Sequence, residues 1–203
     1  CTNAITGLMG SWQDSIPCLY LSGQVRSEHT SYDKPVRQVG TQEVNIVDIV
    51  KPLCKYAKTI KNPNEIQKEL NKAIEIAKSG RPGPVWLDLP LEFQWADSKF
   101  EKKHCINLRP KAIKIDNTKK FEKAMNLIKE AKNPIFILGY GVHLSNTEEK
   151  IKKFIKKNNF RVVSTWTAAG IFGTKNKFNL GIIGMSGQAG ANKAIFNSDL
   201  IIC

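Results

Sequence analysis

Paired cysteines and long apolar runs are both missing from this chain of 203 residues. The five cysteines are scattered, odd in number and form no Cys-x-x-Cys pair, which argues against a disulfide framework and against a zinc site. The longest apolar runs, such as IPCLYL and PIFIL, are far shorter than the ~20 residues that a membrane span needs. No signal peptide is visible. We therefore expect reduced thiols, a cytoplasmic location and no membrane association.

Arginine is scarce, although the formal net charge of the chain is +13. Lysines are spread along the predicted helices, whereas arginines stand only at Arg26, Arg37, Arg81, Arg109 and Arg161. Because arginine is the better partner for bases and phosphates, this pattern indicates solvated helix faces rather than a nucleic-acid surface. The histidines (His29, His104 and His143) are not paired with one another or with a carboxylate at metal-ligand spacing. We therefore expect surface histidines, no metal ligands in this chain and no nucleic-acid partner.

Short apolar runs alternate with amphipathic helical patterns along most of the chain. The predicted strands are CLYLS, PVWLDL, PIFIL, RVVST and DLIIC, and helices are predicted over 2–13, 62–80, 118–132, 147–158 and 188–197. Such alternation favours parallel sheets with helices on both faces. We predict an α/β fold of two three-layer α/β/α units, residues 1–95 and 118–203. A linker over 96–117 joins them, and both units are expected to be incomplete in this chain.

Two of the predicted helices show which residues shape them. In the helix over 62–80, Asn62 is the expected N-cap, Glu65 completes a capping-box-like pair, and Gly80 ends the helix. In the helix over 118–132, an apolar stripe is expected to face inward (Phe121, Ala124, Met125 and Ile128).

Ligands of parallel α/β sheets bind beyond the carboxyl ends of the strands. The candidate positions are therefore Gly23-Gln24, Pro90-Leu91, Gly139-Tyr140-Gly141 and Thr165-Trp166-Thr167. The GYG segment offers backbone amides to an anion, but Leu144 replaces the third glycine of the dinucleotide motif, so a tight turn explains it equally well. GMSGQAG at 184–190 either lets a ligand approach the backbone or forms a loop that needs positive φ.

Gln42 and Glu43 end a long polar loop. Glu43 is either a general base or, as we favour, an acidic residue at the start of a helix formed by VNIVDIV. Gln42 is a candidate hydrogen-bonding contact. Taken alone, these residues indicate an α/β protein that binds a phosphorylated ligand.

Four segments in a fixed order carry a family resemblance. They are TNAITGLMGSWQDSIPCLYLSGQV, GTQEVNIVDIV, SGRPGPVWLDLP, and STWTAAGIFG followed by LGIIGMSGQAGANKAIFNSDLII. Together they resemble the thiamine-diphosphate enzymes, and in particular the acetolactate synthase large-subunit family. The resemblance covers nearly the whole chain except the 26–39 loop and the linker. It implies the end of a pyrimidine-binding domain with the thiamine-diphosphate-enzyme fold, followed by the first part of a Rossmann-like central domain.

The resemblance also implies roles for particular residues. Gln42 matches a glutamine beside the thiamine site, in a supporting catalytic role, and Arg81 matches an arginine that contacts a flavin nucleotide. The other matched positions line the flavin site of the central domain (Gly139, Gly141, Thr165, Trp166, Gly184, Met185, Ser186 and Gly187).

The implied activity is that of a transferase or lyase of branched-chain amino acid biosynthesis. The thiamine ylid attacks a 2-oxo acid such as pyruvate, CO₂ leaves, and the acyl carbanion is transferred to a second carbonyl. The implied cofactors are thiamine diphosphate, Mg²⁺ and FAD, and the implied assembly is a homodimer or homotetramer with a regulatory subunit. The catalytic Glu is expected before Cys1 and the diphosphate and metal motif after Cys203, so this chain alone is expected to be inactive.

Three features depart from the family pattern. Leu91 stands where the family commonly has Lys, Ser186 stands where it has His, and the loop over 26–41 is longer. The alternatives are another thiamine-diphosphate-dependent decarboxylase, lyase or carboligase without flavin, for example in surface-sugar biosynthesis, or a non-catalytic nucleotide-binding module.

Overall fold

A computed structural model describes residues 1–97 and 118–203. The chain divides into two units, Cys1–Lys114 and Ile115–Cys203, each with its own parallel sheet. None of the helices among the described residues is long and apolar enough to cross a membrane.

In the first unit, the described residues form helices α1 (Ile5–Gln13), α2 (Ile46–Val50), α3 (Ile66–Lys78) and α4 (Leu91–Gln94). Its strands are β1 (Leu19–Gln24), β2 (Tyr56–Thr59) and β3 (Val85–Pro90). Short 3₁₀ turns lie at Thr2–Ala4, Ser27–His29, Lys51–Leu53 and Pro63–Glu65. The strand order is β1-β3-β2 and both pairings are parallel, so the three carboxyl ends meet at one edge.

Alternate residues of β3 build two cores on opposite faces of this sheet. Val85 and Leu87 pack against α3, whereas the buried Trp86 packs with residues of α1 and α2, including Leu8 and Ile46. The alternation follows from the two-residue period of a strand. The central strand is therefore covered on both faces, which gives the predicted three layers.

The predicted helix over 62–80 is a 3₁₀ turn, Pro63–Glu65, that continues directly into α3, and the predicted end residues flank this combined segment. The Asn62 side chain accepts a hydrogen bond from the Asn64 amide at 2.9 Å, and Glu65 accepts one from the Lys61 amide at 2.8 Å. Gly80 follows the C-cap with a φ of +54°, a conformation in which glycine avoids the strain that a Cβ causes. The loop that enters β3 is thereby fixed in direction.

In the second unit, the described helices are α5 (Thr118–Glu130), α6 (Gly141–Leu144), α7 (Glu148–Asn158) and α8 (Ala189–Phe196), with a 3₁₀ turn at Trp166–Ala168. The strands are β4 (Pro134–Leu138), β5 (Arg161–Ser164), β6 (Asn179–Ile182) and β7 (Leu200–Ile202), ordered β6-β5-β4-β7 and all parallel. One core joins Phe136 and Val162 to Ile155 of α7, and the other joins Ile135 and Val163 to α8.

The predicted fold class, α/β with parallel sheets, is confirmed, and each of the predicted strands is present. Strands β2 and β6 were not predicted. The inward stripe of α5 was wrong for Phe121, which is 65% exposed, and for Ala124, which is also exposed, whereas Met125 and Ile128 are half-buried. The domain boundaries stay a prediction, since the linker over 96–117 lies almost entirely outside the described residues.

Candidate functional site

A surface groove of about 580 Å³ lies beside Arg81 in the first unit. Its walls come from the end of α1, the segment before β2 and the turn that enters β3, and they comprise Trp12, Gln13, Lys55, Ser79, Gly80, Arg81 and Pro82. The indole of Trp12 is 41% exposed, so a flat aromatic surface is available to a ligand. The groove therefore combines an aromatic wall with two cationic side chains.

The Arg81 side chain is held by a hydrogen bond to a buried residue. Its Nε donates a hydrogen bond to the hydroxyl of Ser15 at 2.7 Å, and Ser15 itself is only 6% exposed. This bond uses one of the five N–H donors of the guanidinium group. Arg81 as a whole is exposed, so a planar, permanently charged group lies at the groove surface.

The second cation of the groove, Lys55, closes the end of helix α3. Its ammonium donates to the carbonyl oxygens of Ile76 and Ser79, which are acceptors left open at the helix C-terminus. A Cβ added at Gly83 would lie 3.1 Å from the Lys55 stem, so glycine leaves room for this side chain. Burial lowers the pKa of Lys55. The Lys55 ammonium is thus occupied by hydrogen bonds within the fold. Of the two cations, Arg81 is therefore better placed to bind a ligand.

A buried carboxyl group, Asp88, lies at the carboxyl edge of the first sheet. It is fully buried and accepts hydrogen bonds from Ser22 Oγ at 2.6 Å and from Gln24 Nε2 at 3.2 Å. The Trp86 indole donates to the same Ser22 oxygen at 2.7 Å. Burial raises the pKa of Asp88 despite these hydrogen bonds. The polar side chains at this edge therefore satisfy one another inside the unit.

Gln24, one of the positions singled out at the strand ends, belongs to this internal network. It is 7% exposed, and its amide nitrogen also lies 2.7 Å from the Val44 carbonyl oxygen and 2.9 Å from the Tyr32 hydroxyl. Gln24 thereby ties the loop after β1 to the sheet. A second groove of about 620 Å³ lies at this edge, lined in part by Tyr32, Thr59 and Pro90.

Gln42 and Glu43 have different environments in the structure. Gln42 is exposed and has a φ of +61°, whereas Glu43 is 8% exposed. The Glu43 carboxylate accepts hydrogen bonds from the amide and hydroxyl of Ser31, both at 2.6 Å, and from the Val39 amide at 2.8 Å. The favoured helix-start role of Glu43 was therefore wrong: Asn45 caps α2, and Glu43 fastens the preceding loop.

Three loops follow strands at the carboxyl edge of the second sheet. Gly139 and Gly141 follow β4, Thr165 and Trp166 follow β5, and the loop 184–187 follows β6. Hydrogen bonds from the Thr165 amide to the Leu138 carbonyl oxygen and from the Ile183 amide to the Ser164 carbonyl oxygen, both 3.0 Å, tie neighbouring loops to the sheet. The predicted central-domain positions therefore share one edge.

Side chains at this edge are open to solvent. Trp166 is 66% exposed, and Met185 and Ser186 are exposed. Next to the loop 184–187 lies a pocket of about 350 Å³, lined by Ser164, Gly181 and Gln188 among others. The edge thus offers both a recess and unburied apolar surface.

The glycines of this edge differ in what the fold requires of them. Gly184 has a φ of +114°, and a Cβ on Gly187 would lie 2.6 Å from the Ile182 carbonyl oxygen, so the loop itself needs both. In contrast, a Cβ on Gly139 or Gly141 would meet no atom within 4 Å. These two glycines leave a smooth, open surface that suits a flat ligand lying close to the backbone.

Comparison with known proteins shows which proteins the chain resembles. Residues 121–203 match the family described as "Thiamine pyrophosphate enzyme, central domain". Nearly the whole chain also aligns with acetolactate synthase large subunits: it is 32% identical to that of Buchnera aphidicola over 98% of this chain and 33% identical to that of Haemophilus influenzae over 99%. Over nearly its whole length the chain is similar to thiamine pyrophosphate enzymes.

Each of these relatives is about three times as long as the chain. The chain described here covers 34% of the Buchnera protein and 35% of the Haemophilus protein. It likewise covers 34% of the isozyme 3 large subunit of Escherichia coli acetolactate synthase, to which it is 31% identical.

Two departures from the family pattern have defined places in the structure. Leu91 is the first residue of α4 and is half-buried, whereas Ser186 lies at the exposed tip of the loop after β6. Neither position carries a cation. Among the predicted cofactor-binding positions, Arg81 is therefore the one that carries a positive charge.

The three histidines and the acidic and thiol side chains lie at scattered positions in the sequence. Within 1–97 and 118–203, no group of three or more His, Cys, Asp or Glu side chains could hold a metal ion. His143 differs from expectation, since its Nδ1 lies 2.6 Å from Glu148 Oε1 at the start of α7. His29 is exposed, and His104 lies outside the described residues.

Proposed function

We propose that this chain is part of a thiamine-diphosphate-dependent enzyme of the acetolactate synthase type. The reaction is the decarboxylation of a 2-oxo acid such as pyruvate and the transfer of the resulting acyl carbanion to a second carbonyl. One observation carries the proposal: the alignment with acetolactate synthase large subunits runs through 98% to 99% of the chain, across both units. A match to the central domain alone would leave the activity open.

Thiamine diphosphate, when bound, supplies the nucleophilic carbon and the electron sink that decarboxylation requires. The chain's contribution in the first unit is orientation. Gln42 lies exposed at the end of the loop that Glu43 fastens, so its amide is free to contact the cofactor or the substrate. Mg²⁺ is proposed for the enzyme without a ligand assigned to this chain.

The flavin positions fit a flat, phosphorylated ligand within each unit. In the second unit, Gly139 and Gly141 leave open space where side chains would otherwise project, and Gly184, Met185 and Ser186 of the loop after β6 are exposed. In the first unit, Arg81 places a permanent cation in a groove with the exposed Trp12 ring. Within the first unit we assign Arg81 to a phosphate or ring edge of a cofactor, and within the second unit we assign the glycine edge to a flat, flavin-type ring system.

An oligomer is also proposed, because apolar side chains near the start of the chain face solvent. Met9, Trp12 and Ile16 are 39% to 41% exposed, and Leu21 on the edge strand β1 is 61% exposed. Apolar surface of this kind is typical of a protein interface. We propose a cytoplasmic homodimer or homotetramer, with a regulatory subunit as a further partner.

The experiment uses the purified full-length protein that contains this chain. We expect acetolactate formation from pyruvate that depends on added thiamine diphosphate and Mg²⁺, and a visible flavin spectrum. Arg81→Ala should lose flavin. Lys78→Ala is the matched control, since it removes an exposed cation at the end of α3 outside the groove lining. Absence of thiamine-dependent pyruvate consumption in the full-length protein would reject the proposed reaction.

A further inference from the structure

Helix α1 ends in a motif whose key position ordinarily belongs to glycine. The Ile16 amide donates to the Ser11 carbonyl oxygen at 2.9 Å, and the Ser15 amide donates to the Trp12 carbonyl oxygen at 3.3 Å. These paired bonds define a Schellman motif in which residue 15 must be left-handed, and Ser15 has a φ of +58°. The same position after α3 is held by glycine, at Gly80.

Serine in this conformation costs free energy that glycine would not, because its Cβ crowds the backbone. The structure shows what the side chain does there. Its hydroxyl accepts the hydrogen bond from Arg81 Nε, 66 residues away in sequence, at 2.7 Å. A residue kept in a strained conformation with its side chain on a candidate binding residue indicates a role beyond ending the helix.

The contact acts on the part of Arg81 that determines where the guanidinium points. Arginine has a long, flexible stem, and a bond at Nε fixes the plane of the fork while its terminal amino groups remain the donors for a ligand. The backbone of Arg81 is also restricted by the following residue, Pro82. Arg81 is therefore pre-organised before any ligand arrives, which lowers the entropic cost of binding.

We propose that Ser15 is a positioning residue that aims Arg81 into the groove for the phosphate or ring edge of a nucleotide cofactor. The identity of the ligand rests on the proposed function. The coupling between Ser15 and Arg81 does not depend on it, because it rests on their hydrogen bond. Two measurements on the full-length protein separate these parts. One reports the order of Arg81 without any ligand, and the other reports cofactor affinity.

The first measurement is the ¹⁵N-edited NMR signal of the Arg81 Nε–H, assigned by its loss in Arg81→Lys. We expect protection of this proton from solvent exchange in the wild type and loss of protection in both Ser15→Gly and Ser15→Ala. Ser15→Gly relieves the left-handed strain and Ser15→Ala keeps it, so a shared loss isolates the hydroxyl. Unchanged protection in both variants would overturn the proposal.

The second measurement is the dissociation constant of FAD. Ser15→Gly should weaken binding about ten-fold, the effect of losing one hydrogen bond to a charged group, and should add nothing in an Arg81→Ala background. The control Asn159→Gly relieves the same conformation (φ +55°) after α7 and should leave both readouts unchanged. If Arg81→Ala weakens FAD binding but Ser15→Gly does not, the positioning role is wrong. If Arg81→Ala has no effect while Ser15→Gly exposes the Nε proton, the coupling stands and the nucleotide assignment fails.

Discussion

Glu43 offers a sharp test of how the long loop after β1 is held. Its carboxylate accepts three hydrogen bonds, two from Ser31 and one from Val39. Glu43 thereby links the backbone amides of Ser31 and Val39 through one side chain. The substitution Glu43→Gln preserves size but replaces one acceptor oxygen by a donor. We expect it to release the loop while leaving the sheet intact, because the carboxylate bonds the loop rather than the core.

The magnitude follows from the charge on the acceptor. A hydrogen bond to a charged group is worth about 1.5–3 kcal/mol, and neighbouring bonds are not additive. With part of the acceptor capacity retained, Glu43→Gln should cost about 2–4 kcal/mol of local stability. That corresponds to roughly 30- to 900-fold in the opening equilibrium of the loop.

Hydrogen–deuterium exchange of the intact protein measures this opening at the amides of Ser31 and Val39. Glu28→Gln is the control, because Glu28 lies exposed in the same loop and makes only long ion-pair contacts of 3.6 and 3.9 Å. The reasoning would be refuted if wild-type amides at both positions exchanged as fast as those of Glu43→Gln.

The same carboxylate gives the loop a defined pH dependence. Burial pushes the pKa of Glu43 upward, but hydrogen bonds from Ser31, Val39 and Gly40 outweigh it, so the pKa lies below its ordinary value. A carboxyl group with a lowered folded-state pKa stabilises above its unfolded pKa of about 4.3. Protection of the loop should therefore fade as the pH falls through the folded-state pKa, and Glu43→Gln should not show this acid transition.

Three further predictions concern the cores and the ion pairs. Trp86→Phe should lower the free energy of unfolding by about 2–3 kcal/mol in urea titrations, because it removes a buried hydrogen bond and leaves a void; an unchanged midpoint would contradict this. Gly187→Ala should lower the melting temperature, since its Cβ would lie 2.6 Å from a backbone oxygen, whereas Gly139→Ala should not, and equal effects would refute the distinction. Glu69 accepts a hydrogen bond from Lys58 at 2.9 Å and its pKa is lowered, so stability should fall in acid and Glu69→Gln should flatten that limb of the pH–stability curve.

Strands were predictable where apolar residues form a run in the sequence. The run PVWLDL is apolar on both faces because β3 is central, and every residue of β3 except Leu89 is buried. Strands β2 and β6 escaped prediction because their four-residue sequences, YAKT and NLGI, contain polar residues or glycine and form no apolar run. Short edge strands with polar side chains, such as Lys58 in β2, carry little apolar signal.

The candidate site was likewise only partly predictable from the sequence. The loops at the strand ends could be placed from sequence, since parallel strands bring their carboxyl ends together. The partners of the site residues could not. Ser15 and Arg81 lie 66 residues apart, and local sequence rules describe only each residue's own turn. Glu43 was misassigned because an acidic residue before VNIVDIV satisfies the helix rule, although the loop over 26–41 folds back onto it and takes its carboxylate.

The glycines of these loops differ in whether the fold requires them, and this difference decides which positions can report on ligand binding. At Gly184 and Gly187 the backbone itself requires glycine, so a substitution there would disrupt the loop whether or not a ligand binds. At Gly139 and Gly141 the fold tolerates a Cβ, since nothing lies within 4 Å. A defect in ligand binding at these two positions would therefore report on the ligand and not on the fold. The same logic separates Ser15 from Gly80: both end a helix left-handed, but only Ser15 carries a side chain that contacts Arg81.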